Sequence, residues 1–351
     1  MIRSAREITE DFEDQILHPL AVRSRTSRGR TIEDPEDSLR TCYQRDRDRI
    51  LHCKSFRRLA HKTQVFLSPE GDHYRTRITH TLEVAQIART LARALRLNED
   101  LTEAIALGHD LGHTPFGHAG EGILNRLLPG GFHHVLQSLR VVELLEREGR
   151  GLNLTLEVRA GIRQHSKGKG VILSQGDGIP AASLEGQVVR VADIIAYLNH
   201  DLDDALRAKI LSAEDLPVEI VEKAGHSRTQ RIAHMVQDVL DATHLDEEPK
   251  IRLTQQGEAL LSDMRAFLYE RVYDNPVVHD ALVKAERILD QIWSYFVKER
   301  PEEFRGFHWP VGVPLDETLE RAVADFIAGM TDRYALRLHE ALFLPKQWPV
   351  L

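Results

Sequence analysis

The 351-residue sequence predicts an all-α protein. Apolar residues recur at helical spacing through most of the chain, Leu, Ala, Glu and Arg are abundant, and strand-like alternation is scarce. Residues 19–38 carry Ser24, Arg25, Thr26, Ser27, Arg28, Gly29 and Arg30 with little apolar content, and read as a mobile loop. In 79–96, Val84, Ile87, Ala88, Leu91 and Leu95 mark the buried face of a helix. Asn98 suits the cap of the next helix, through Leu101, Ile105, Leu107 and His109, which Gly112 and Pro115 then break. Further helices are expected over 118–128, 133–148 and 155–165. Gly168, Gly170, Gly176, Gly178 and Pro180 mark 167–182 as a long loop. Val188, Val189, Val191, Ile194 and Ile195 then form a mostly buried helix that carries Asp193. From about 213 to 344 amphipathic helices follow, with breaks near Pro217, at 244–249, near Pro276 and at 301–314. Val65-Phe66-Leu67 and Val171-Ile172-Leu173 are candidates for short ribbon pieces. The chain thus divides into an N-terminal segment, partly loop (1–39), a core (40–212) and a helical carboxy-terminal region packed on it (213–351).

A hydrophobic fraction of 42% and a charged fraction of 28% suit a soluble globular protein. No apolar run approaches a membrane span, and the N-terminus lacks an apolar signal core, so the expected compartment is cytoplasmic. Cys42 and Cys53 are then expected to be reduced thiols, without metal-binding Cys-x-x-Cys spacing. The net charge of −8 is uneven. Residues 40–62 hold eight Lys or Arg against Asp46 and Asp48, a local +6 that leaves −14 elsewhere. That pattern fits a patch for a compact polyanion, or a solvated helix face with pairs such as Asp46 with Arg49.

The densest chemistry lies between His73 and His134, where much of the histidine surplus of 18 residues falls. His109-Asp110 follow the apolar run Ala104-Ile105-Ala106-Leu107, and Asp193 sits between Val191 and Ile194. Ionisable residues in apolar surroundings are normally paired or ligating. With His80 they make two imidazoles and two carboxylates, a set that suits one divalent cation: Mn²⁺, Fe²⁺, Zn²⁺ or Mg²⁺. Three separate helices would hold it rigidly.

A second group is His113, His118, Glu121 and His134. His118 and Glu121 share a helix face, and a carboxylate beside an imidazole makes it a good proton donor near neutrality. Metal-activated water plus such a donor is what phosphate-ester cleavage requires. Arg77, three residues before His80, is placed to clamp a phosphate. Tyr197 and Asp201 follow Asp193 on the same helical face, a ring to pack on a sugar and a carboxylate to accept from a hydroxyl.

His80, His109-Asp110 and Asp193 match the H…HD…D signature of the HD superfamily of metal-dependent phosphohydrolases. Wider matches are Gln44-Arg45-Asp46-Arg47-Asp48-Arg49-Ile50, Phe56-Arg57-Arg58-Leu59, Lys62-Thr63-Gln64-Val65-Phe66, Glu70-Gly71-Asp72-His73-Tyr74-Arg75-Thr76-Arg77 and the run from Ala106 to His118. Together these resemble the deoxyguanosine triphosphate triphosphohydrolase (dGTPase-like) family, densely over about 23–205 and more thinly beyond. The resemblance implies an HD-domain core with additional carboxy-terminal helices. It also implies conversion of a deoxynucleoside triphosphate and water to the deoxynucleoside and tripolyphosphate. The four signature residues would bind one metal, Mn²⁺ or Mg²⁺ first among candidates. His118 with Glu121 would transfer the proton, with His113 and His134 near the phosphates and Arg77 on the α-phosphate. Gln64, Tyr197 and Asp201 would surround the sugar. A homo-oligomer is also implied. Competing readings are an HD hydrolase of nucleoside monophosphates and a dNTP-sensing regulator that binds single-stranded nucleic acid through the basic segment.

Overall fold

In the computed structural model, residues 3–64, 75–165 and 183–345 are described. Among them the fold is all-α, with no strand and two isolated bridges, Arg30 with Thr155 and Thr63 with Thr76. The candidate ribbon pieces at 65–67 and 171–173, the expected loop at 167–182 and His73 lie outside the described residues.

The helices are α1 (Ala5–Ile16), α2 (Cys42–Leu51), α3 (Lys54–Arg58), α4 (Arg77–Ala94), α5 (Glu99–Gly108), α6 (Gly117–Leu127), α7 (His134–Arg140), α8 (Leu156–Gln164), α9 (Leu184–Arg207), α10 (Val218–Ala224), α11 (Arg228–Ala242), α12 (Gln255–Leu268), α13 (Pro276–Ser294), α14 (Pro301–Phe307), α15 (Leu319–Ala328) and α16 (Asp332–Phe343). Local chemistry sets many of their starts. Asn98 caps α5 by accepting from Leu101 N at 3.0 Å. Pro276 and Pro301 open α13 and α14 at the first turn, where a missing N–H costs nothing. The helix expected over 133–148 stops early. Arg140 hands over to a single π-helical stretch, Val141–Leu145, and Arg147 and Glu148 take positive φ. The cause is tertiary: Glu146 accepts from Lys54 N at 3.2 Å and Ser55 N at 2.7 Å, capping α3.

The central element is α5, apolar and buried on nearly every side and enclosed by α2, α4, α8 and α9. A second core joins α6, α13, α15 and α16 around Phe296, Phe304 and Phe326. Three polar fasteners tie the two together. Buried Lys62 donates to the carbonyls of His113 and Ala328. Asp332 accepts from Thr63 and from Phe116 N at 3.0 Å. Asp325 accepts from Gln137, Arg140 and Arg321.

Two expectations change. The segment 19–38 is irregular but tied down: Glu13 receives Ser24 N and Oγ, Glu157 receives Arg28 N, and Glu185 receives Val22 N. The basic segment 40–62 is also neutralised in its first half. Arg40 pairs with Asp37 and Asp48, Arg45 and Arg49 with Asp34, and Arg47 with Asp100. Asp46 pairs with Arg30 rather than Arg49. Lys54, Arg57, Arg58 and Lys62 have no ion pair to a carboxylate among the described residues, and Lys54, Arg58 and Lys62 line a cavity of about 570 Å³ with Trp309, Phe326 and Tyr334.

Alongside Gly120, Gly112 marks one of the two tightest approaches in the site region. A Cβ there would lie 2.1 Å from Ser138 N and 2.6 Å from His134 O. Gly112→Ala is expected to cost about 3 kcal/mol by overpacking, whereas Gly122→Ala, in open space on α6, gains about 0.5–1 kcal/mol of helix propensity. Urea denaturation of both variants measures the contrast.

Candidate metal centre

His80 projects from the first turns of α4, His109 and Asp110 leave the C-terminal end of α5, and Asp193 lies mid-way along α9. These three helices pack on one another, so the four side chains converge. His80 Nε2 is 3.1 Å from Asp193 Oδ1 and 3.9 Å from Asp110 Oδ2. His109 Nε2 is 3.3 Å from Asp110 Oδ1 and 3.8 Å from Asp193 Oδ1. One ligand atom each from His80, His109 and Asp110 lies within 4.8 Å of the others.

The protonation pattern suits a cation. His109 Nδ1 donates to Ala106 O at 2.6 Å, which leaves a lone pair on Nε2. That Nε2 is buried and has no hydrogen-bond partner. An orphaned buried acceptor between carboxylates is what a metal would satisfy. Burial opposes ionisation of both acids. For Asp110 it is overcome by His109, His113 and Arg77, which hold the carboxyl well below its ordinary value. For Asp193 it is overcome by His80 and His109, which bring it down to about 2. Both carboxylates are therefore charged at neutral pH.

Beside this cluster the histidines continue as a chain of ring contacts. His200 meets His80, His80 meets His109, His109 meets His165, His165 meets His134, and His134 stacks on His113 at 4.1 Å. His118 ends the chain, 6.0 Å from His113 and 81% exposed. Glu121 serves two of them. Its Oε1 accepts from His134 N and Nδ1 at 2.9 and 2.8 Å, and its Oε2 lies 3.6 Å from His118 Nδ1. Burial would raise this carboxyl, but His118 and His134 hold it far below its ordinary value. His113 is buried, and burial, then Arg77, depress its pKa well below the ordinary range.

Arg77 opens α4 only 2% exposed, with Nη1 donating to Asp110 Oδ2 at 2.9 Å. It is thus committed in part to the metal ligand beside it. Gln64 lies near the same turn, its backbone oxygen 3.1 Å from where a Cβ on Gly117 would sit, with its buried Oε1 unpaired. Because α9 persists to Arg207, Tyr197 and Asp201 fall on the Asp193 face. Tyr273, beyond α12, donates to Asp201.

The HD-domain pattern matches residues 77–198, and a phosphohydrolase-associated domain matches 251–341. A deoxyguanosinetriphosphate triphosphohydrolase-like protein from Caldanaerobacter subterraneus is 54% identical over 348 residues, covering 98% of this chain and 97% of its own. Like-named proteins from Desulfatibacillum aliphaticivorans and Clostridium tetani are 49% and 42% identical, covering 97% and 98% of this chain and 98% and 97% of their own. The chain belongs to the deoxyguanosinetriphosphate triphosphohydrolase-like family. Membership among HD-domain phosphohydrolases implies a divalent metal, and His80, His109 and Asp110 are spaced to hold one. No helix among the described residues is long and apolar enough to cross a membrane.

Sequence reasoning passed over His165, His200, Glu83 and Tyr273. The first two had a signal: His165 continues the apolar stripe of Val158 and Ile162 on α8, and His200 lies seven residues after Asp193 on α9. Tyr273 had none, because its partner is 72 residues away.

Asp201 in this HD-domain protein supplies a pH test. Burial pushes its carboxyl up to about 6, against the Tyr273 hydroxyl and His80. The folded state therefore keeps a proton that the unfolded chain releases near pH ~4, so stability falls as pH rises from about 4 to about 6 and stays lower above. Asp201→Asn is expected to be about 2 kcal/mol more stable than the parent at pH 8, with the gap closing by about pH 4, in chemical denaturation.

Proposed function

We propose that this protein hydrolyses deoxynucleoside triphosphates to the deoxynucleoside and tripolyphosphate. The observation that carries the reading is the convergence of buried His80, His109 and Asp110 with the partly exposed Asp193, next to Arg77 and the His113–His134–Glu121–His118 array. One divalent cation, Mn²⁺ or Mg²⁺ ahead of Fe²⁺ or Zn²⁺, would supply Lewis acidity to the α-phosphate and to a water when bound.

The chain's own residues do the rest. Two imidazole nitrogens and two ionised carboxylates would hold the cation in place of the proton that Asp193 and Asp110 otherwise favour on His80. Arg77, pinned by Asp110, presents a fixed guanidinium toward phosphate oxygens. Glu121 fixes the proton of His134 on Nδ1, which leaves the Nε2 lone pair free, and His113 stacks on the ring. His118 is the exposed member, with the Glu121 carboxylate behind it, and delivers a proton to the 5′ oxygen as the bond to α-phosphorus breaks. Gln64, Tyr197 and Asp201 surround the sugar, Asp201 held by Tyr273.

Incubation of the purified protein with each dNTP and Mn²⁺ or Mg²⁺ tests the reaction. Tripolyphosphate and deoxynucleoside are expected; pyrophosphate or single phosphates would overturn it. His118→Ala is expected to lower kcat by about 10²- to 10⁴-fold with metal affinity intact. His109→Ala or Asp110→Ala should lose both metal and turnover, read by metal analysis beside the rate.

A further inference from the structure

Beside the metal centre stands a pair, buried His200 and partly exposed Glu83, that the proposed chemistry does not use. His200 is fully buried on α9, and its Nδ1 lies 3.3 Å from His80 Nδ1 with the rings edge to face. Its other nitrogen, Nε2, is in ion-pair contact with Glu83 Oε2, one turn beyond His80 on α4. Glu83 is held in turn by Arg228 Nη2, 2.6 Å from Oε1, and by Arg75 Nε, 3.3 Å from Oε2. Its carboxyl is ionised at neutral pH, brought down to about 2 by His200, Arg228 and Arg75 against its burial.

The direction of the hydrogen bonds follows from one constraint. His80 faces Asp193 and Asp110 with Nε2, so a cation there needs the Nε2 lone pair. The neutral ring then carries its proton on Nδ1, which can only donate to His200 Nδ1. Neutral His200 then carries its proton on Nε2, against the Glu83 carboxylate. The opposite order would point His80 Nε2–H at the metal position and set a His200 lone pair against a carboxylate. Only this arrangement leaves the His80 lone pair for a cation and turns an N–H, not a lone pair, toward Glu83, although His200 Nε2 and Glu83 Oε2 touch as an ion pair without hydrogen-bond geometry. His109 needs no such relay, because Ala106 O fixes its tautomer directly.

We propose that Glu83 and His200 are positioning residues for the metal, a carboxylate–imidazole relay that locks His80 as an Nδ1–H tautomer with its lone pair on the cation. The proposal rests on the metal reading of His80, His109, Asp110 and Asp193. A carboxylate behind a ligating histidine both orients the ring and strengthens it as a donor, and losing such a partner typically weakens binding by about 10- to 100-fold.

The test is Mn²⁺ titration of the full-length protein without substrate, followed by the EPR signal of free Mn²⁺. His200→Ala is expected to weaken binding by about 10- to 100-fold. His200→Gln, whose amide offers one acceptor and one donor, should recover most of the loss. Glu83→Gln keeps the shape of a partly exposed side chain and should weaken binding in the same direction by less, which maintains the test if His200→Ala fails to fold. Asp110→Ala is the reference for a lost ligand. Wild-type affinity in His200→Ala and Glu83→Gln, with binding lost in Asp110→Ala, overturns the relay and leaves the metal reading standing. Equal binding throughout, Asp110→Ala included, overturns the metal reading and the relay with it.

Discussion

A carboxylate buried as deeply as Asp110, 3% exposed, stays ionised only when positive charge and donors surround it. Much of the fold serves that condition. The C-terminal end of α5 brings Asp110 into an apolar core, Arg77 arrives from the first turn of α4, and His113 turns back at 3.2 Å. Asp193 adds a second carboxylate on α9 beside the His80 and His109 rings. Two like charges in one buried place repel, and a divalent cation between them converts that cost into binding. The imidazoles are arranged to allow it: one tautomer is fixed by a backbone carbonyl, the other by His200 and Glu83.

The carboxy-terminal region is built into the site rather than laid over it. Asp332 receives the N–H of Phe116, whose backbone is left-handed at φ 60, directly before the helix that carries His118 and Glu121. A non-glycine residue in that region costs on the order of 1 kcal/mol and persists only where its surroundings hold it. Lys62 does similar work between His113 and Ala328. Tyr273 fixes one oxygen of Asp201. The HD-domain match spans 77–198, so each of these contacts involves at least one residue outside it.

What the sequence disclosed followed the range of the interactions. Asn98 as a cap and the buried stripe of α4 were legible because both are settled within a few residues. His109-Asp110 and Asp193 stood out because charge inside an apolar run is costly enough to need a reason. The pairing of the arginines was not legible: Asp46 meets Arg30 across the chain fold, and Arg49 goes to Asp34. The same limit cut short the expected helix at 133–148, where Glu146 is recruited by α3. His118 with Glu121 was read from spacing alone, yet Glu121 makes its shorter contact to His134, thirteen residues on.

The central claim is that His80, His109, Asp110 and Asp193 hold one cation. Anomalous diffraction at the manganese edge, from crystals grown with Mn²⁺, addresses it most directly. The account predicts a single peak about 2 Å from His80 Nε2, His109 Nε2 and one oxygen each of Asp110 and Asp193. A peak instead among Asp110, His113 and His134, the neighbouring group with metal-compatible spacing, would contradict it, as would no peak at saturating Mn²⁺.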